Sequence, residues 1–245
     1  MKIILRFALF LFFAAACDNT APPPSGNTSG ISALQQVAET PAPVQTLRGM
    51  YKNGGNGARW YDCASGKTYL VIDETNTLAT LYRAACQPAP CPGESVYGVA
   101  QGRVSPTGTA GAATGSDGTL RISRVDTLAP KTLFNTCAPY DFWCSGTEPF
   151  WGMLISETDG GFFLKTMGDE RGRTFPWSAP VQNGTTWAYT SSDPASGESL
   201  RVRVRREPCS DGMSERQYGY SVEIQLGDQT LRGCAVRMGD ALSRE

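Results

Sequence analysis

From Thr46 onward, apolar and polar residues alternate in short runs broken by Gly, Asn, Asp and Pro. Runs at 47–52, 59–62, 67–73, 79–84, 96–104 and 119–124 are rich in Tyr, Val, Leu and Trp, the residues that suit a half-buried pleated surface. A second series follows at 151–156, 161–166, 186–191, 200–206, 217–226 and 229–237. Its clearest member is LRVRV, where Leu200, Val202 and Val204 take one face and Arg201, Arg203 and Arg205 the other. Gly227-Asp228 between two runs reads as a hairpin turn. Short strands at regular spacing predict an all-β chain: first a small barrel or sandwich, then a second antiparallel β domain, itself a barrel or sandwich. The segment at 105–116, rich in Gly, Thr and Ala, reads as a surface loop.

The first forty or so residues lack this pattern. Residues 1–16, MKIILRFALFLFFAAA, carry Lys2 and Arg6 before the apolar run 7–13, which is too short to span a bilayer. They read as a signal peptide. The ending Ala14-Ala15-Ala16-Cys17 resembles a bacterial lipobox, which makes Cys17 the lipidation site, although Ala14 stands where Leu is commoner. Asp18 after it points weakly to the inner membrane. Residues 17–45 are rich in Pro, Thr, Ser and Asn and read as a flexible tether. The expected protein is therefore anchored by lipid to a bacterial membrane and faces the periplasm.

Composition narrows the chemistry. The chain has 245 residues, a net charge of −1 and no histidine. Without imidazole there is no Ser-His-Asp triad, no Cys-His dyad and no histidine-bound zinc or copper, while carboxylate pairs and Ser-Lys chemistry stay open. No basic footprint points to nucleic acid. Eight cysteines in an exported chain imply disulfides. Cys86 and Cys91 in CQPAPC read as a local disulfide, with a soft metal such as Cu(I) as the alternative. Cys209 and Cys234 flank a hairpin and are expected to join neighbouring strands.

The segments LRGMYKNGGNGARWYDCASGKTYLV, YRAAC, GVAQGRV and DTLAPKTLFNTC resemble the C-terminal domain of the copper-homeostasis and adhesion-associated NlpE lipoprotein family. The resemblance covers about residues 46–138 and implies an OB-like barrel whose Cys63 and Cys137 form a disulfide. The N-terminal NlpE domain, with its Cys-x-x-Cys and signalling role, has no counterpart here. Residues 141–239 resemble a second family of envelope proteins through GTEPFWGMLI and PCSDGMSERQYGYSVEIQLGDQTLRGCA, with Glu215 where that family has Asp. No activity attaches to that family.

Several residues are candidates for function. Glu148 lies in sequence among Trp143, Phe150 and Trp151; desolvation there would make it an acid candidate, and Trp151 beside it would suit a sugar. The competing reading is a turn residue beside core tryptophans. Asp211 in CSDGMS reads first as a turn former. Arg201, Arg203 and Arg205 would face an anionic surface or simply water. Cys144 is left to be buried, to pair with another chain, or to compete with Cys63 for Cys137. The leading expectation is a non-enzymatic envelope lipoprotein that needs no cofactor and binds a protein or cell-wall component in envelope homeostasis or stress sensing. The alternatives are soft-metal handling through CQPAPC and Cys144, and glycan binding or hydrolysis by Glu148 and Asp211.

Overall fold

A computed structural model describes residues 42–54, 57–86, 93–106, 115–169 and 172–240. The expected signal peptide, Cys17, Asp18, most of the tether and Cys91 lie outside the described residues. Residues Pro41–Glu245 form one compact unit.

Five strands close the first barrel: β1 (Gln45–Lys52), β2 (Arg59–Asp62), β3 (Thr68–Asp73), β4 (Val96–Pro106) and β5 (Gly118–Ala129). Their order is β1-β2-β3-β5-β4, and closure comes from β1 pairing antiparallel with β4. Only β3 and β5 are parallel among these strands. The interior holds Leu47, Trp60, Val96, Ala100, Leu120 and Ile122. Trp60 fits because its neighbours are small: a Cβ on Gly49 would lie 2.2 Å from its Nε1, and one on Gly98 2.8 Å from its ring.

The expected strand at 79–84 is instead helix α1 (Leu78–Ala85). Its buried residues, Leu78, Tyr82 and Ala85, are spaced four and three apart, a helical stripe that a short alternating window conceals. Asp73 organises the entry, accepting the N–H groups of Thr75, Asn76 and Leu78. Burial alone would raise its pKa, but these bonds and the Thr75 hydroxyl outweigh burial and hold it below the usual range. Cys63 and Cys137 are joined, with Cα atoms 5.5 Å apart and 74 positions between them. A loop of that length removes about 4 kcal/mol of chain entropy from the unfolded state.

Nine strands form the second part: β6 (Phe142–Thr147), β7 (Phe150–Ser156), β8 (Gly161–Thr166), β9 (Arg173–Pro176), β10 (Val181–Asn183), β11 (Thr186–Ser192), β12 (Ser199–Ser210), β13 (Gln217–Leu226) and β14 (Gln229–Arg237). They make a single antiparallel sheet in the order β10-β11-β12-β13-β14-β6-β7-β8-β9, not a two-layer sandwich. The sheet curls on itself. Phe142 of β6 lies 5.4 Å from Trp187 of β11, and Phe162 of β8 lies 5.5 Å from Tyr189 of β11, although several strands separate them along the sheet. The hydroxyls of Ser178 and Ser191 donate to Thr190 and Pro176 carbonyls, bringing the β9 end to β11. Inside are Met153, Ile155, Leu164, Leu200, Val202, Val204, Val222 and Ile224.

Cys209 and Cys234 are also joined, but not on neighbouring strands. They belong to β12 and β14, with β13 between. Two strand spacings of about 4.8 Å exceed their Cα separation of 5.6 Å, so β12 must leave its straight path. Its register indeed breaks between Arg206 and Cys209.

Candidate functional site

The barrel and the curled sheet meet around one turn. Between β7 and β8, Ser156 donates its hydroxyl to the Pro139 carbonyl and accepts the N–H of Asp159, fixing the turn from beneath. Gly160, with φ of 74°, completes it. Asp159 is thereby presented to the barrel. Its Oδ2 pairs with Lys131, which follows β5, and both side chains are only 3% exposed. Ser95, just before β4, donates its hydroxyl to the same oxygen at 3.0 Å and accepts from Lys131 Nζ at 3.0 Å. A second ion pair, Lys165 to Glu94 at 3.0 Å, crosses the same seam in a more exposed position.

Above this network lies a cleft of about 660 Å³. Met50, Lys52, Arg59, Tyr61 and Thr68 line it from the barrel, and Thr158, Asp159, Gly160, Phe163 and Thr174 from the sheet. Lys52 ends β1 and Arg59 opens β2, directly opposite it in the ladder. Lys52 Nζ donates to the main-chain carbonyl of Asp159. Burial lowers the Lys52 pKa; Asp159 opposes that shift, while Lys131 and Arg59 reinforce it. The Ser95–Lys131 contact has the atoms of a Ser-Lys pair, but the Lys131 ammonium is held by Asp159, so it is placed to lock the seam and not to accept a proton.

The residues singled out from the sequence lie elsewhere. Glu148, Asp211, Cys209 and Arg232 share a groove of about 560 Å³ on the curled sheet. Glu148 is exposed in the β6–β7 turn and is not desolvated by aromatics. Trp151 points into the core, its Nε1 donating to the Arg232 carbonyl at 3.3 Å, while Phe150 is exposed. Asp211 is fully committed to its own turn. It accepts the N–H groups of Met213 and Ser214, the Ser214 hydroxyl and the Tyr218 hydroxyl. The bonds from Ser214 and Met213 lower its pKa to about 2.

Arg201, Arg203 and Arg205 lie exposed on the outer face of β12, and Glu223 sits 3.9 Å from Arg203 and 3.2 Å from Arg232. Cys144 is a free thiol buried among the sheet core, and that burial pushes its pKa up. Of the readings of Cys144, the structure shows the buried one, and Cys137 is taken by Cys63. Cys86 is disulfide-bonded, whereas its expected partner Cys91 is outside the described residues. Among the described residues, no three of Cys, Asp and Glu converge as a metal-ligand set, and no helix is long and apolar enough to cross a membrane.

Sequence reasoning missed Lys52, Ser95, Lys131 and Asp159. Each is an ordinary polar residue near a strand end, and only the three-dimensional fold brings them together.

Residues 41–132 match the family model of the NlpE C-terminal OB domain. This part of the chain is similar to the NlpE C-terminal OB domain. The match takes in Lys52, Arg59, Ser95 and Lys131, while Asp159 comes from the sheet that follows. No curated protein and no solved structure matches the chain. The OB domain thus supplies one wall of the cleft, and an unmatched sheet supplies the other.

Proposed function

We propose that this is a lipid-anchored envelope protein that acts by binding, with the cleft between OB domain and curled sheet as its binding site. The observation that carries the proposal is the cleft itself. It is concave, and its volume falls in the range of about 300–1,000 Å³ that small-ligand sites occupy. A buried ion pair fixes its base, so the walls are held before any ligand arrives. The NlpE OB domain points to an envelope lipoprotein. The expected signal peptide, lipidation at Cys17 and tether support that reading, in which the domains face the periplasm within reach of envelope components. Catalysis is the weaker reading: Asp211, which shares a groove with Glu148, has its carboxylate occupied by its own turn. A role in envelope homeostasis or stress sensing would then consist of signalling the occupancy of this cleft.

The test is site-specific photocrosslinking in living bacteria. A photoreactive residue replacing Thr158, which lines the cleft, should capture a discrete envelope component; one replacing exposed Met213 should not. Equal capture at both positions, or none at Thr158, overturns the proposal.

A further inference from the structure

We infer that the cleft takes a neutral, hydroxyl-rich ligand, a short oligosaccharide. This rests on the cleft being the binding site, and it adds the chemical class of the ligand. The starting observation is where the cleft sits on the barrel. The elements run β1-β2-β3-α1-β4-β5, the order of an OB fold. Barrels of this type hold oligonucleotides or oligosaccharides on the face of their second and third strands, between the loops after the first and fourth strands. Here Arg59 and Tyr61 of β2, Thr68 of β3, Gly57 of the β1–β2 loop and Gly115 before β5 all line the cleft. The curled sheet lies across this face and adds Thr158 and Thr174 as the facing wall.

Charge separates the two ligand classes. A nucleic-acid strand draws much of its affinity from cations that are free to meet its phosphates. Both cations of the described lining already have partners. Lys52 donates to the main-chain carbonyl of Asp159, and Arg59 is engaged as well. The Asp159 carboxylate is in turn taken by Lys131 and Ser95. The charges around the cleft are therefore committed to the fold.

What the walls leave open is hydroxyls. Among the described residues, no protein group hydrogen-bonds the hydroxyls of Tyr61 and Thr68 on the barrel side or of Thr158 and Thr174 on the sheet side. Each such hydroxyl can both donate and accept. The hydroxyls of a sugar have the same double capacity and carry no charge to desolvate. Tyr61 adds an aromatic ring, a flat apolar surface for the C–H face of a pyranose. Gly57, with φ of 92°, bares the main chain of the β1–β2 loop to whatever enters. In an envelope, neutral saccharide has two sources, the amino-sugar backbone of the cell wall and plain hexose glycans.

Isothermal titration of the full chain in a non-ionic detergent, at two salt concentrations, tests the assignment. The probes are triacetylchitotriose, maltotriose and a short single-stranded oligothymidylate. At least one trisaccharide should bind, with an affinity that does not change with salt. Tighter binding of chitotriose identifies the amino-sugar source, and tighter binding of maltotriose the hexose one. Thr158→Val and Thr174→Val should each weaken binding by about fivefold, the loss expected for one neutral hydrogen bond. Should one variant fail to fold, the other carries the measurement. No binding of either trisaccharide at millimolar concentration, affinity that falls with salt, unchanged affinity in the folded variants, or tighter binding of the oligonucleotide overturns the assignment. Capture at Thr158 in the same protein would still leave the cleft standing as a binding site for another class of ligand.

Discussion

Two aspartates of this protein sit in turns of the curled sheet and are held in opposite ways. Asp211 is half-buried and satisfied by residues two, three and seven positions away. Asp159 is buried and satisfied by Lys131 and Ser95, 28 and 64 positions away on the barrel side. The first shapes its own loop, and its loss would be felt there. The second ties two parts of the fold together and forms the base of the cleft. A carboxylate in a sequence motif can thus be purely local, while one in an unremarkable turn joins distant elements.

Breaking the Asp159 contact should give the largest effect. Asp159→Ala leaves the Lys131 ammonium buried without its carboxylate, and removing one partner of a buried pair costs about 3–5 kcal/mol. Urea denaturation should show that loss. A change below about 1 kcal/mol would mean that the seam is not held by this pair. Combining Lys131→Met with Asp159→Leu sharpens the point, because replacing both charges with apolar groups removes the desolvation penalty as well. The double variant should recover most of the stability. If it also kept the cleft ligand, Lys131 would be confirmed as a strut and not a ligand contact.

How much of this was legible follows the same division between local and distant. Strand series, the LRVRV faces and the Asp211 turn depend on neighbours in sequence, and reading them needs only a short window. The OB barrel was legible through its family pattern, since closure by β1 and β4 is invisible to periodicity. Helix α1 escaped because in LATLYRAA the window is too short to separate a helical stripe from alternation. Short strands β9 and β10 escaped because RTFP and VQN carry almost no apolar signal. Within the site, Lys52 and Arg59 stand at the facing ends of the runs 47–52 and 59–62, yet nothing local says that a second sheet lies across from them. Asp159 follows Glu157-Thr158 in a plain polar turn, and its partners lie on the other side of the seam.

Asp211 should respond to acid where its own bonds predict, with a smaller effect on global unfolding than Asp159→Ala. Its pKa of about 2 lies below the ordinary carboxylate value of about 3.9. A depressed pKa stabilises the folded form above the unfolded value, and that contribution is lost as pH falls through the folded value. Between about pH 4 and pH 2 the turn should therefore loosen, first at the amides of Met213 and Ser214. Amide hydrogen exchange across this range would follow it. In Asp211→Asn, those amides should exchange without a pH transition in that window. A persistent transition would mean that some other group holds the turn.

Arg203→Ser should produce the smallest change. Arg203 is about half exposed and lies 3.9 Å from Glu223, which is closer to Arg232. Surface pairs of this kind contribute about 0–1 kcal/mol, and Glu223 keeps a partner after the substitution. The urea midpoint should move by no more than about 0.5 kcal/mol equivalent. The more telling measurement is sedimentation with vesicles containing phosphatidylglycerol, comparing the parent with Arg201→Ser, Arg203→Ser and Arg205→Ser combined. If the cleft is the binding site, the outer face is an ordinary solvated strand surface, and co-sedimentation should be unchanged. Loss of vesicle binding in the triple variant, with trisaccharide affinity intact, would give this protein a second contact, to an anionic surface. The difference between a deep charge network and a surface one would then describe two binding functions and not one.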